Sequence, residues 1–85
     1  MKELLSTSFK TIKLPNGPLT IESRFYADGK LFFFKISHVY KPTAQVGYYY
    51  ADSKSCSSLN QAKQNLKAYI AGFTDDYIEN EYFNK

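Results

Sequence analysis

Cysteine is almost missing from this sequence of 85 residues. The lone Cys56 excludes an internal disulfide, and with the single histidine, His38, it cannot furnish a Cys/His zinc cage. Tryptophan is absent, and the four glycines are scattered, so no glycine-rich loop exists to cradle a phosphate. No apolar run approaches membrane-spanning length, and Leu4-Leu5 is too short for the apolar centre of a secretory signal. The acids follow no calcium-loop pattern. No metal and no cofactor is therefore expected. A reducing, cytoplasmic setting is the expectation from the cysteine usage.

What the chain does have is aromatic rings. Eight Tyr and seven Phe stand among residues that are 44% apolar, enough for a packed core and too much for a disordered chain. The length corresponds to one domain, residues 1–85, whose small core is made adequate by large rings. The net charge is +3, unevenly spread. Residues 1–50 carry seven basic and three acidic groups, whereas residues 71–85 hold Asp75, Asp76, Glu79 and Glu81 against Lys85. Such a charge dipole can orient a docking partner.

Breakers at Pro15-Asn16-Gly17-Pro18, Asp28-Gly29, Lys41-Pro42 and Gly72 divide the chain into four strand-like runs and a helical end. The runs are Ser6 to Leu14, Leu19 to Tyr26, Leu31 to His38 and Val46 to Asp52. In the first, Phe9, Ile12 and Leu14 break strict alternation, which predicts a bulge or an edge position. Asp-Gly between apolar runs predicts a hairpin with Asp28-Gly29 as its two-residue loop. Tyr26 then faces Leu31, Phe25 faces Phe32, Arg24 faces Phe33 and Glu22 faces Lys35. Leu19, Ile21, Ser23, Phe25, Phe32, Phe34, Ile36 and His38 share one face, the inner one. Thr20, Glu22, Arg24, Tyr26, Leu31, Phe33, Lys35 and Ser37 share the other, which leaves Phe33 pointing outward beside basic groups.

Ser58 and Gln61 have the spacing of a capping box. Behind them Leu59, Ala62, Leu66, Tyr69, Ile70 and Phe73 fall on one helical stripe, and Gly72 ends or bends the helix. Thr74, followed by Asp75 and Asp76, has the pattern of a second short helix with Ile78 and Tyr82 turned inward. The predicted fold class is α+β. A four-stranded antiparallel β-meander packs one face against a C-terminal α-helix, possibly two, and leaves the other face to solvent.

Nothing in this pattern requires catalysis. His38 reads as a partly buried structural histidine. Cys56 reads as a small residue before a helix cap, although a thiolate is stabilised there and a Cys56–His38 pair is conceivable. The functional expectation is binding. Arg24, Tyr26, Phe33 and Lys35 share the outer face, Tyr49 joins them from the fourth run, and Asp75, Asp76, Glu79 and Glu81 form an acidic second surface. Tyr and Arg around an exposed Phe suit a protein partner. Rings interleaved with cations also suit single-stranded nucleic acid, the alternative partner. A homodimer fits an exposed Phe33 as well, and no membrane partner is expected.

The succession of strands and helix over about residues 19–70, the helix opening Ser58-Leu59-Asn60-Gln61-Ala62, is similar in layout to the arm-type DNA-binding domains of phage integrases. That resemblance implies that the open sheet face meets DNA. Taken whole, a small α+β chain without an enzyme motif resembles the inhibitors encoded by phages and mobile elements, anti-CRISPR proteins among them. This second resemblance implies a protein that occludes a surface of a nucleic-acid-binding defence complex in the host cytoplasm.

Overall fold

The alternation of apolar and polar residues from Leu19 to Ile36 makes strands, and turn chemistry sets how they pair. The structure is a computed structural model that describes residues 2–42, 49 and 54–84. Strand β1 (Lys2–Leu14) and strand β2 (Gly17–Asp28) form a long antiparallel hairpin closed by Pro15-Asn16, and β3 (Leu31–Ile36) pairs with β2 to complete a sheet of order β1-β2-β3. Gly17 accommodates the exit from the first turn at φ +132°. Of the two expectations for the run Ser6 to Leu14, the edge position is the one observed: the pairing is unbroken from Ser6 to Leu14, and the register shifts only before that run, between Leu4 and Ser6.

The second turn corrects the expected register. Asp28 pairs with Leu31, so the loop is Gly29-Lys30 instead of Asp28-Gly29. Only Gly29 takes a positive φ (+63°), as a type II′ turn requires, and Asp28 avoids the left-handed conformation that a type I′ turn would impose. The slip is two residues, so every side chain keeps its face. Its partners change: Tyr26 faces Phe33, Phe25 faces Phe34 and Arg24 faces Lys35. Glu22 pairs with Arg24 on its own strand, not with Lys35.

Beyond Ile36 the chain leaves the sheet instead of running on to His38. Ser37 donates its backbone N–H to the Glu22 carbonyl (2.9 Å), while its hydroxyl, not its carbonyl, accepts from the Glu22 N–H (3.0 Å). The freed Ser37 carbonyl accepts from the Asn80 N–H (2.8 Å), and the Asn80 side-chain amide donates to the Ile36 carbonyl (3.0 Å). This exchange starts a second, two-stranded sheet of β4 (His38–Tyr40) and β5 (Tyr77–Glu79). His38 therefore pairs with Glu79 and is not a rim residue beside Leu19, which instead faces Ile12. The expected fourth strand, Val46 to Asp52, lies outside the described residues apart from Tyr49.

Helix α1 (Leu59–Ala71) packs on β3. The Ser58 hydroxyl accepts from the Gln61 N–H (3.1 Å), but the Gln61 side chain turns forward to Asn65, so only half of the capping box forms. Ile21, Phe25, Phe34, Ile36 and Tyr40 meet Ala62, Leu66, Tyr69 and Ile70 in one core. Phe32 lies at its margin, tied by backbone hydrogen bonds to Cys56. The helix stops at Gly72, whose φ is −92°. Space is what this position demands, because a Cβ on Gly72 would lie 2.7 Å from the Tyr40 hydroxyl.

The second helix is replaced by β5 and a closing turn. Thr74 uses its hydroxyl to donate to the Lys41 carbonyl (2.7 Å), and the Lys41 N–H donates to Asp76, which commits the segment to β4. Ten residues with no packing stripe of their own do not recover the cost of helix nucleation. Ile78 and Tyr82, expected inward, are 45% and 64% exposed, while Phe83 is buried. No helix among the described residues is long and apolar enough to cross a membrane.

Candidate functional site

Residues facing each other across an antiparallel pair share a face. The pairings therefore lay out the outer face of the sheet row by row. Lys2, Asp28 and Leu31 form one row, Leu4, Tyr26 and Phe33 the next, and Thr7, Arg24 and Lys35 the third. Phe9 follows opposite Glu22 and is 69% exposed. The middle row is an apolar stripe across all three strands. Tyr26 and Phe33 stack with centroids 5.4 Å apart and planes 14° off parallel. The Lys35 ammonium sits 5.6 Å from the Tyr26 centroid, a cation–π contact.

Charge is concentrated beside that stripe. Burial first, and then the nearby Lys2 ammonium, hold the Lys35 pKa below its ordinary value. Lys2 and Lys35, from different strands, thus stand in the rows on either side of the stacked rings. Arg24 behaves differently. Its Nε donates to Glu22 (3.0 Å), its Nη1 donates to the Asn84 side chain (2.9 Å), and its guanidinium lies 4.1 Å from the Phe83 centroid. Desolvation works against its charge, but the bonds to Glu22 and Tyr26 outweigh it and leave Arg24 more basic than usual. Arg24 clamps the C-terminal turn onto the sheet, so this part of the outer face is covered and not open.

The remaining predicted site residues lie elsewhere. Tyr49 donates its hydroxyl to Asp76 (2.9 Å), a bond that raises the tyrosine pKa, and its ring lies 4.9 Å from the Lys41 ammonium. Asp75 accepts from the Asn16 N–H (3.2 Å). These two acids have partners inside the fold. Glu79 and Glu81 are exposed and line a groove of about 300 Å³ whose apolar members are Val39, Ile78, Tyr49 and Tyr82. The structure therefore brings Arg24, Tyr26, Phe33 and Lys35 together and sets Tyr49 with the four acids around the second sheet.

Sequence reasoning missed the contribution of β1. Lys2, Leu4 and Phe9 enter the outer face only through the β1–β2 register, and the bulge after Leu4 hides the alternation that would have signalled it. The thiol of Cys56 donates to the Phe32 carbonyl (3.3 Å), while His38 Nδ1 lies 2.8 Å from the Ser37 hydroxyl. Each is engaged with its own neighbour. Among the described residues no group of three or more His, Cys, Asp or Glu side chains is placed to hold a metal ion. Comparisons with known proteins find no family model that matches the chain, no similar curated protein and no similar solved structure.

Proposed function

We propose that this chain is a non-catalytic binding protein that engages a macromolecular partner, a protein, through the outer face of its sheet. One observation carries the reading. The stacked Tyr26–Phe33 pair, bordered by exposed Leu4 and by Lys35, crosses three strands as a continuous apolar stripe with a cationic edge. Aromatic anchors within a charged rim are the usual composition of a protein interface hot spot. Glu79 and Glu81, with exposed Ile78 and Tyr82, offer a second surface of opposite charge on the β4–β5 ribbon. The most concrete form of the proposal is a phage or mobile-element inhibitor of the anti-CRISPR type, acting in the cytoplasm on a nucleic-acid-binding defence complex.

A second reading draws on Lys2 and Lys35, which flank the rings on the same sheet face. Two neighbouring ammonium groups attract a phosphate backbone, and bases stack on aromatic faces. Fluorescence anisotropy of labelled single- and double-stranded oligonucleotides, at low and at moderate salt, separates the two. The protein-docking reading predicts no saturable binding. Saturable binding that weakens log-linearly with salt, and that Phe33→Ala reduces by roughly 1–3 kcal/mol, makes the face a nucleic-acid platform and overturns the first reading.

A further inference from the structure

Strand β1 is 13 residues long, and from Lys2 to Thr11 it is exposed throughout. It packs chiefly on β2, and among the described residues no strand lies on its outer edge. Leu4, Leu5 and Phe9, at 52%, 39% and 69% exposure, stand on this one strand. A long strand with an unpaired edge and exposed apolar side chains is a template for another strand.

We infer that the outer edge of β1 pairs antiparallel with β1 of a second copy, about a two-fold axis through Phe9. Symmetry and charge restrict the register, and the side-chain pairing of Phe9 favours this one. Facing residues must share a face, and a two-fold axis perpendicular to the sheet preserves faces, so the axis must pass through a residue and not between two. An axis at Lys10 sets Lys10 against its own copy, a facing like-charge pair that destabilises a sheet. An axis at Ser8 sets Phe9 against Thr7 and leaves the ring without an apolar partner. An axis at Phe9 sets the two Phe9 rings together, Thr7 against Thr11 and Ser8 against Lys10, with no like charges directly opposed. Aromatic and Thr–Thr cross-strand pairs are favourable, and Thr11 already makes one within its own sheet, to Thr20 at 2.8 Å. Phe9 lies within the regular stretch from Ser6 to Leu14, beyond the bulge.

The product is a continuous six-stranded sheet in the order β3-β2-β1-β1-β2-β3. Both helices lie on its inner side. The two Leu4–Tyr26–Phe33 stripes lie on its outer side, flanking the Phe9 pair. A partner with repeated sites then meets two docking faces on one rigid platform and gains affinity through a high effective concentration.

Sedimentation equilibrium on the full chain tests this directly. The wild type is expected at twice the 9.8 kDa chain mass. Phe9→Lys replaces the ring pair with two facing ammonium groups, and it is expected to raise the dimer dissociation constant by roughly tenfold or more with an unchanged circular dichroism spectrum. The register is read separately in a Cys56→Ser background. There Phe9→Cys is expected to form an interchain disulfide under mild oxidation, and Lys13→Cys is not. A monomeric wild type at every concentration, a dimer indifferent to Phe9→Lys, or crosslinking through Lys13→Cys in preference to Phe9→Cys overturns the inference.

Discussion

Gly72 and Tyr40 meet where α1 ends, and the contact decides what either position tolerates. The Tyr40 hydroxyl is buried, donates to the Tyr69 carbonyl (2.9 Å), and its ring packs against Tyr69 and Phe73 at 4.8 and 4.5 Å. It cannot swing away from a Cβ placed 2.7 Å from its oxygen. Gly72→Ala should therefore cost about 1–3 kcal/mol, the usual range for overpacking. In a Tyr40→Phe background the obstructing atom is gone and the cost should shrink. Urea denaturation of the four proteins in a double-mutant cycle measures the coupling, and additive effects would show that the two residues do not collide. Lys2 and Lys35 make a prediction of the same scale. Because the folded-state pKa of Lys35 is lowered, the unfolded chain binds more protons between that value and the ordinary one of about 10.5. Stability contributed by this group thus rises with pH across that window. Lys2→Met removes the neighbouring charge and should move the Lys35 pKa upward, as followed by NMR of the side-chain Cε resonance. An unchanged titration would place the two ammonium groups apart in solution.

At the scale of elements, sequence legibility follows the kind of signal available. Helix α1 is legible except for the Gln61 half of its capping box, since its apolar stripe, its Ser58 cap and its Gly72 stop are local features. Ser58→Ala should cost about 1 kcal/mol of stability in a urea titration. A change within error would mean that water satisfies the Gln61 N–H equally well. The faces of β2 and β3 were legible too, because period-two alternation survives a register error of two. The register itself was not. It depends on whether the turn places Asp28 or only Gly29 at positive φ, and the Asp-Gly dipeptide serves either turn. The departure of the chain at Ser37 was illegible for a different reason. A serine hydroxyl replaces a ladder carbonyl, and the carbonyl so released is taken by Asn80, 43 residues later. Nothing local announces such a long-range exchange. Ser37→Ala leaves the half-buried Glu22 N–H without this acceptor and should cost about 1 kcal/mol or more, with the loss centred on the β3–β4 junction in hydrogen exchange. Uniform protection in the variant would show that the hydroxyl is not the switch.

On the scale of the whole molecule, the division of charge in the sequence becomes a division of surfaces. The basic first half supplies the outer sheet face, and the acidic end supplies the β4–β5 ribbon. Phe33 was legible as an outward ring, because a strand that buries Phe32 to one side and Phe34 to the same side leaves Phe33 to the other. That Arg24 holds Phe83 and Asn84 was not, since the sequence pattern predicts a helix where the closing turn lies. Two residues of the candidate site, Leu4 and Lys2, belong to a strand whose pairing only the folded chain reveals. The central claim is that this face, and not the acidic ribbon, is where the principal partner docks. Quantitative affinity capture from cell lysate tests it, with three tagged, folded proteins: wild type, a Leu4→Ser/Phe33→Ala variant of the stripe, and a Glu79→Lys/Glu81→Lys variant of the ribbon. Docking on the sheet face predicts a partner that wild type and the ribbon variant retain and the stripe variant loses. Equal recovery by wild type and the stripe variant, or loss through the ribbon variant alone, would contradict it.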